Sequence, residues 1–169
     1  MPKKKTATKK KLSNARPDWD VYFMDMAHMA ATRATCDRGV DLKFRKGRKG
    51  VGAILVRDKN ILASGYNGSP KGMAHCDDAG HEMVDGHCIR TIHAEANAIA
   101  QAAKNGVDIN GATVYTTGSP CYDCFKILIN AGIIRVVYGL FYNSRYEMSK
   151  KVLGLAKGAK IKMKHISTL

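Results

Sequence analysis

The strand, helix, strand order between Thr113 and Leu140 constrains the fold more than any other feature of this sequence. Thr113–Thr117 and Ile133–Leu140 are β-prone runs, and the helical run Cys121–Ala131 between them is closed by Gly132. Two strands joined through a helix pair in parallel, because the crossover brings the chain back to the same end of the sheet. The unit therefore predicts an α/β fold.

The remaining elements extend this unit on both sides. Trp19, Phe23, Met26 and Ala30 share one helical face by their spacing. The patterns predict a helix from Trp19 to about Arg33, a hairpin of strands Val51–Val56 and Ile61–Tyr66, a helix Ala94–Asn105 ended by Gly106, a last helix from about Arg145 to Lys157, and a short strand Lys160–Ile166. Together they predict one mixed sheet flanked by helices.

Length and charge predict one domain with a basic extension. The 169 residues suit one compact domain, and we expect a flexible basic arm at 1–16 and the folded domain at 17–169. Much of the net charge of +14 lies near the chain ends. A solvated arm and a polyanion-binding arm are both open interpretations. No apolar run suits a membrane span and no export signal is recognisable, so we expect a cytoplasmic protein, in the host cytoplasm if its source is viral.

The segment from Asn67 to Thr91 is rich in Gly, Asp, His and Cys and has no sustained periodicity. It is therefore predicted to be a loop. Loops longer than about 12–15 residues are usually functional, disordered or held by something other than packing. Since the five cysteines occur without an export signal, metal binding is a better expectation for them than disulfides.

Two short motifs lie at the starts of predicted helices. His93 and Glu95 open one helix, and Cys121 and Cys124 follow Pro120 at the start of another. One imidazole and two thiolates make a three-ligand zinc site whose fourth position is left to water, as in catalytic sites. Glu95 is the predicted proton carrier. Either motif alone is weak evidence, but together they match the signature of zinc nucleobase deaminases.

The expected reaction follows from this arrangement. Zinc-bound hydroxide attacks C4 of a pyrimidine while Glu95 passes a proton to N3 and then assists the loss of ammonia. The product is the uracil nucleotide, and no organic cofactor is required.

With these residues in view, the sequence resembles the deoxycytidylate deaminases of the cytidine deaminase superfamily over roughly residues 18 to 140. Beyond the zinc motifs, the resemblance rests on Thr35-Cys36-Asp37-Arg38, Val51-Gly52-Ala53, Gly65-Tyr66-Asn67-Gly68-Ser69-Pro70 and Gly86-His87-Cys88-Ile89-Arg90-Thr91. It implies a three-layer fold with a five-stranded mixed sheet, a homohexamer, and regulation by dCTP and dTTP. The implied activity is hydrolysis of dCMP to dUMP and ammonia, which supplies a precursor for thymidylate synthesis.

The resemblance also implies substrate-binding residues. Asn67, which alone is an ordinary turn residue before a glycine, matches an asparagine that contacts the nucleotide in relatives. The full set of substrate-binding candidates is Tyr66, Asn67, Ala94, Ser119 and Pro120. The regions of Lys71, Arg90 and Arg145 are expected to offer phosphate contacts.

A second, structural zinc is a further implication of the resemblance. Cys36, Cys76 and Cys88 are its expected ligands, and His81 is favoured as the fourth because relatives often carry cysteine at the matching position. His75 and His87 stay open as alternatives. Free cysteines and surface histidines are the interpretation without a metal.

Several other functions remain open at this point. The substrate alternatives are dCTP, a C5-modified dCMP, or a base in tRNA or DNA, although a nucleic-acid partner is not required. A noncatalytic, zinc-stabilised nucleic-acid-binding module is the alternative from another class. Glu95 argues against that module, because a purely structural site has no use for a carboxylate at this spacing.

Overall fold

A computed structural model describes residues 16–38, 50–141 and 148–167. Its helices are α1 Trp19–Ala31, α2 Cys76–Ala79, α3 Ala94–Lys104, α4 Tyr122–Asn130 and α5 Met148–Gly158. Its strands are β1 Gly52–Arg57, β2 Asn60–Tyr66, β3 Met83–Val84, β4 His87–Cys88, β5 Thr113–Gly118, β6 Arg135–Leu140 and β7 Lys162–His165. Residues 1–15 of the predicted arm, and Arg145 at the predicted start of the last helix, lie outside the described residues.

The main sheet has five strands in the order β2-β1-β5-β6-β7. β1 pairs antiparallel with β2 and β5, whereas β5, β6 and β7 run parallel. The predicted hairpin and the predicted strand, helix, strand unit are therefore confirmed, and so is the five-stranded mixed sheet.

Helices cover both faces of the sheet. On one face, Phe23, Met24 and Ala27 of α1 pack on Ile54 and Tyr115. On the other face, a larger cluster joins α3, α4 and α5 to the strands through Ala98, Phe125, Leu128, Val152 and Ala156, all of them buried. This arrangement confirms the predicted three layers.

Glycines allow the sheet to approach its helices closely. A Cβ at Gly65 would collide with backbone atoms of Ala94 and Ala98, and one at Gly52 would collide with backbone atoms of Ala27 and Ala31. Gly65 therefore fixes the start of α3 against the end of β2.

The predicted loop after β2 contains little regular structure. It holds the single turn α2 and the two-residue strands β3 and β4, which pair with each other in a separate small sheet. Met83, Val84 and Ile89 are exposed there. The hydrophobic core thus contributes little to holding this segment.

A cluster of paired charges ties α1 to strands β5, β6 and β7. Arg135 donates to both carboxylate oxygens of Asp20, at 2.7 and 2.6 Å, and Lys164 donates to one of them at 2.7 Å. The Tyr115 hydroxyl also donates to Asp20, at 2.8 Å. The hydrogen bond from Arg135 holds the pKa of Asp20 well below its ordinary value, against the opposing effect of burial.

Candidate metal centre and substrate cavity

The site forms where two helices begin beside the end of β5. His93 is the N-cap of α3, and Cys121 is the N-cap of α4. The sequence pattern had predicted Cys121 as the first helical residue, so α4 begins one residue later than predicted. The sulfur of Cys121 accepts a hydrogen bond from the backbone N–H of Cys124 at 3.5 Å. Helix N-termini favour negative charge, so this position suits a thiolate.

His93, Cys121 and Cys124 converge on one point. Nδ1 of His93 lies 3.4 Å from Sγ of Cys121 and 3.5 Å from Sγ of Cys124. A tetrahedral zinc ion with Zn–S of about 2.3 Å and Zn–N of about 2.0–2.1 Å places such a nitrogen and sulfur about 3.5 Å apart. The three ligand atoms therefore fit zinc by chemistry and by distance.

The charges of this group are unequal before any metal binds. A hydrogen bond from Cys124 and another from His93 lower the pKa of Cys121 to about 4. Hydrogen bonding to Cys121, followed by burial, raises the pKa of Cys124, and hydrogen bonding to Cys121 raises the pKa of His93 to about 9. Metal binding must displace the protons of Cys124 and His93, so affinity for zinc depends on pH.

Glu95 lies in the first turn of α3 and is 3% exposed. Burial raises the pKa of Glu95 to about 7, although nearby His93 opposes the rise. A carboxyl group with such a pKa both accepts and releases a proton near neutral pH, which is what a general acid and base requires.

A second group gathers Cys36, Cys76, His81 and Cys88, whose ligand atoms all lie within 4.8 Å of one another. Sγ of Cys76 is 3.6 Å from Sγ of Cys88, and Sγ of Cys36 is 3.7 Å from Nδ1 of His81. These separations also suit a tetrahedral zinc ion. Four protein ligands leave no open position, which is typical of a structural site.

His81 is oriented by its neighbour in this second group. Oδ1 of Asp37 lies 2.9 Å from Nε2 of His81, so Nε2 takes the proton and Nδ1 faces the cysteines. Of the two alternatives, His75 contacts the Thr35 hydroxyl through Nδ1 at 3.0 Å. Neither His75 nor His87 belongs to the four-residue group within the described part of the chain.

Both groups border one cavity of about 500 Å³, a size typical of small-molecule sites. His93, Glu95 and Cys121 lie in its wall, as do Cys36, His81 and Cys88 of the second group. The other lining residues are Asp37, Arg38, Val51, Asn67, Gly86, His87, Thr91, Ala94, Gly118 and Ser119.

The sequence model of the cytidine and deoxycytidylate deaminase zinc-binding region matches residues 17–140, a span that contains both groups and Glu95. The chain belongs to this family.

Individual family members resemble the chain over most of its length. It is 47% identical to ComE operon protein 2 of Bacillus subtilis over 129 residues, which are 76% of this chain and 63% of that protein. It is 38% identical to the deoxycytidylate deaminase of Mycobacterium phage D29, over 73% of this chain and 96% of the phage protein. The dCMP deaminase of cyanophage S-TIM5, solved with dCMP and dUMP, superposes with a TM-score of 0.71 at 28% identity, covering 90% of this chain and 100% of that one.

Three of the predicted substrate-binding residues, Asn67, Ala94 and Ser119, line the cavity. Asn67 directly follows β2 and is buried; its Oδ1 accepts from the Val51 N–H at 2.6 Å and its Nδ2 donates to the Cys36 carbonyl at 2.9 Å. These bonds fix the amide and leave it one further N–H.

Tyr66 and Pro120 are not among the cavity-lining residues of the described chain, so their assignment stays a prediction. Lys71 and Arg90, expected near the phosphate, do not line the cavity either, and Arg145 lies outside the described residues. Sequence reasoning gave no role to Arg38, which does line it. Its place in the Thr35-Cys36-Asp37-Arg38 motif was the available signal.

No helix among the described residues is long and apolar enough to cross a membrane.

Proposed function

We propose that this protein is a zinc-dependent deaminase that hydrolyses dCMP to dUMP and ammonia. The observation that carries the proposal is the buried carboxyl group of Glu95 in the same cavity wall as His93 and Cys121. A structural zinc site has no need of a buried acid there, whereas a hydrolytic site does. The name of the phage D29 relative and the nucleotides in the S-TIM5 structure support dCMP as the substrate.

His93, Cys121 and Cys124 would hold the catalytic zinc. When bound, zinc supplies a Lewis acid that makes attack by water effective near neutral pH. Glu95 takes a proton from the attacking water and delivers it to N3 of the cytosine as the C4–O bond forms. Glu95 next takes the remaining proton from the new C4 hydroxyl and delivers it to the exocyclic amine. The C4–N bond breaks as the C4 carbonyl forms, and ammonia leaves without any change of oxidation state.

The cavity wall positions the nucleotide for this step. The remaining N–H of Asn67 is free to donate to an oxygen of the sugar. Ala94 and Ser119 border the same cavity as Glu95, where the base must lie to receive the proton.

The group of Cys36, Cys76, His81 and Cys88 would hold a second, structural zinc. Its support is the closed set of four ligand atoms and the orientation of His81 by Asp37. The Cys36 carbonyl accepts a hydrogen bond from the Asn67 side chain. By binding Cys36, this ion would therefore also hold the substrate-binding amide of Asn67 in place.

The family resemblance further supports a homohexamer in the cytoplasm, with dCTP and dTTP as effectors. Exposed Met83, Val84 and Ile89 on the loop beside the cavity provide apolar surface for subunit contacts. The folded unit proposed here is 17–169, preceded by the basic arm at 1–16.

Incubation with dCMP, dCTP, deoxycytidine and a cytosine- or adenosine-containing oligonucleotide tests this function. Ammonia release and product mass are followed for each substrate, with and without dCTP or dTTP as effector. Preferential conversion of dCMP to dUMP is expected. Turnover of the oligonucleotide alone would assign the protein to nucleic-acid editing instead.

A further inference from the structure

The chain segment that forms α5 and β7 carries an excess of positive charge. Residues 148–167 include six lysines and no Asp or Glu. Four of these lysines are exposed and form no ion pair within the described part of the chain: Lys151, Lys157, Lys160 and Lys162. These four residues make up the α5–β7 basic surface.

Acidic residues on the neighbouring elements already have partners. Asp123 on α4, which packs beside α5, pairs with Lys126 at 2.8 Å. Asp20 on α1 pairs with Arg135 at 2.6 Å and with Lys164 at 2.7 Å. β6, the strand paired with β7, contains no acidic residue. Since soluble surfaces usually intersperse the two signs of charge, the α5–β7 basic surface suits a negatively charged partner.

Lys160 occupies a backbone position at which glycine is favoured. Helices α3, α4 and α5 end with the same pair of backbone hydrogen bonds, and the residue at each turn has a positive φ. In α3 and α4 this residue is Gly106 or Gly132, whereas in α5 it is Lys160, with φ of 57°. A side chain costs stability in this left-handed conformation. The turn therefore does not account for the lysine, which favours a role for its ammonium group in binding.

Two glycines leave the exposed face of α5 bare between the lysines. Gly154 follows Lys151 by three residues and precedes Lys157 by three, so it neighbours both on the helix surface. A Cβ at Gly154 or at Gly158 would meet nothing within 4 Å. Because glycine weakens a helix relative to alanine, packing among the described residues explains neither glycine. The bare helix backbone allows a partner to approach closely.

The charge of this surface fits a nucleic-acid backbone better than it fits other partners. A second copy of the chain would bring lysines against lysines. Helices that bind membranes expose an apolar face, but Val152 and Ala156 of α5 are buried in the core. A nucleic acid presents closely spaced phosphates, and lysines that neutralise them release counterions. Such contacts favour binding without sequence preference.

Lys160 and Lys162 lie at the end of the sheet away from the cavity. Lys162 is paired in register with Arg135 at the start of β6. At the other end of β6, the Leu140 carbonyl accepts from the N–H of Ser119, a cavity-lining residue. A nucleic acid bound at the far end therefore leaves the cavity open to a free nucleotide.

We propose that the α5–β7 basic surface binds the phosphate backbone of nucleic acid and tethers the protein there without acting on the bases. The inference goes beyond the proposed function and does not depend on the proposed reaction.

A triple substitution in the full-length chain tests this surface. Lys157→Gln, Lys160→Gln and Lys162→Gln together should weaken binding of a labelled DNA duplex of about 20 base pairs at least about 10-fold at about 0.1 M salt. The slope of log K against log salt should fall by about 2 to 3, because three phosphate contacts are lost. Fluorescence anisotropy over a range of salt concentrations measures both quantities.

Arg33→Gln, Lys59→Gln and Lys104→Gln together are the matched control, since they remove the same charge from exposed positions outside α5 and β7. This control should bind the duplex within about threefold of wild type, because salt screens distant charges. Equal losses in the two triple variants would show that net charge alone matters and would overturn the proposal. Undiminished binding by the first triple variant would overturn it as well.

Lys160→Gly separates binding from stability. The variant should melt about 2–4 °C higher than wild type, because glycine relieves the left-handed turn. Its salt slope for the duplex should nevertheless fall by about 1, since one phosphate contact is lost. Duplex binding identical to that of wild type would contradict the role of Lys160.

Turnover of dCMP distinguishes this inference from the proposed function. The first triple variant should convert dCMP with the kcat and KM of wild type, with and without the duplex. Because duplex binding requires no turnover, its loss in this variant supports the surface even if dCMP were not converted. Deamination of the bound duplex, or tighter binding of phosphatidylserine vesicles or poly-glutamate than of the duplex, would contradict the proposal.

Discussion

The two cysteine and histidine groups border the same cavity, yet they are built in different ways. His93, Cys121 and Cys124 project from the first turns or N-caps of helices that pack on the main core. The group of Cys36, Cys76, His81 and Cys88 comes from loop segments, one helical turn and a two-residue strand. The fold itself thus positions the first group, while the proposed second zinc would hold in place the loop that supplies its ligands.

The difference teaches why the two groups have different ligand numbers. Helices would hold the three ligands of the proposed catalytic zinc in place, and its fourth position would be left for chemistry beside Glu95. In the loop, Met83, Val84 and Ile89 are exposed, so the proposed second ion would have all four positions filled by protein ligands that tie the loop together. The predictions below test this division of roles.

The largest expected effect on kcat in a protein that keeps its metal ligands belongs to Glu95→Gln. The variant should bind zinc as wild type does but lose roughly 10²- to 10⁴-fold in kcat, because the proton carrier is gone. Steady-state kinetics and metal analysis measure both quantities. Glu82→Gln is the control, since Glu82 is exposed and does not line the cavity; unchanged kcat in Glu95→Gln would refute the assignment.

Removal of one ligand from each group should separate the roles of the two ions. Cys124→Ala is expected to lose one zinc per chain and all measurable turnover. Cys76→Ala is expected to lose the other zinc and about 4 kcal/mol of unfolding free energy, if that ion is present about 1,000-fold above its Kd.

His81→Cys is the control for Cys76→Ala, because it replaces one zinc ligand by another. It should keep the second ion, since four thiolates also fill a tetrahedral site. Metal analysis and thermal unfolding provide the readouts. Full zinc content in Cys124→Ala would contradict the assignment of the first group as zinc ligands. Full zinc content in Cys76→Ala would contradict the same assignment for the second group.

The Asp20 cluster stabilises the fold through ion pairs. Its contribution to the free energy of unfolding should therefore fall in acid and should not change when a chelator removes zinc. Because the folded pKa of Asp20 lies below its ordinary value of 3.8, the stabilisation is complete above that pH and is lost as the pH falls below it. Asp20→Asn should cost about 3 kcal/mol at neutral pH, since Arg135 and Lys164 lose their partner.

Chemical unfolding between pH 3 and pH 7 measures this contribution. Asp108→Asn is the matched control: that carboxylate is 71% exposed in its pair with Arg57, and its loss should change stability little. Equal pH dependence of the Asp20→Asn protein and wild type in this range would contradict the account.

The smallest expected effect concerns the contact that positions the first group. Gly65→Ala should cost about 2 kcal/mol and lower kcat, because the added methyl group pushes against the backbone of α3 at Ala94 and Ala98. Gly154→Ala is the control, as a Cβ there meets nothing within 4 Å and helix propensity improves. A Gly65→Ala protein as stable and active as wild type would show that α3 can move.

Much of the fold could be predicted because its elements carry local periodic patterns. The predicted boundaries of the hairpin, of the strand, helix, strand unit and of helix α3 lie within two residues of the observed boundaries. The first metal-ligand group could be predicted from the sequence for the same reason, because its motifs lie where the periodic pattern marks the starts of helices.

Other features depend on contacts between distant residues. Asp20 and Lys164 are separated by 144 positions, and nothing local in the sequence links them. The choice of His81 over His75 and His87 came from family resemblance, because three histidines in an unperiodic loop are equivalent by spacing. The place of Arg38 in the cavity lining likewise became visible only in the fold, where its side chain reaches the carbonyl of Gly86.

One measurement tests the central claim most directly: reaction of the zinc-loaded protein with dCMP in water enriched in oxygen-18, followed by product mass and ammonia. The account predicts dUMP with one heavy oxygen at C4 and one ammonia per dUMP. Glu95→Gln should form both products only at its strongly reduced kcat. Unchanged dCMP, or dUMP without the heavy oxygen, would contradict hydrolytic deamination in this cavity.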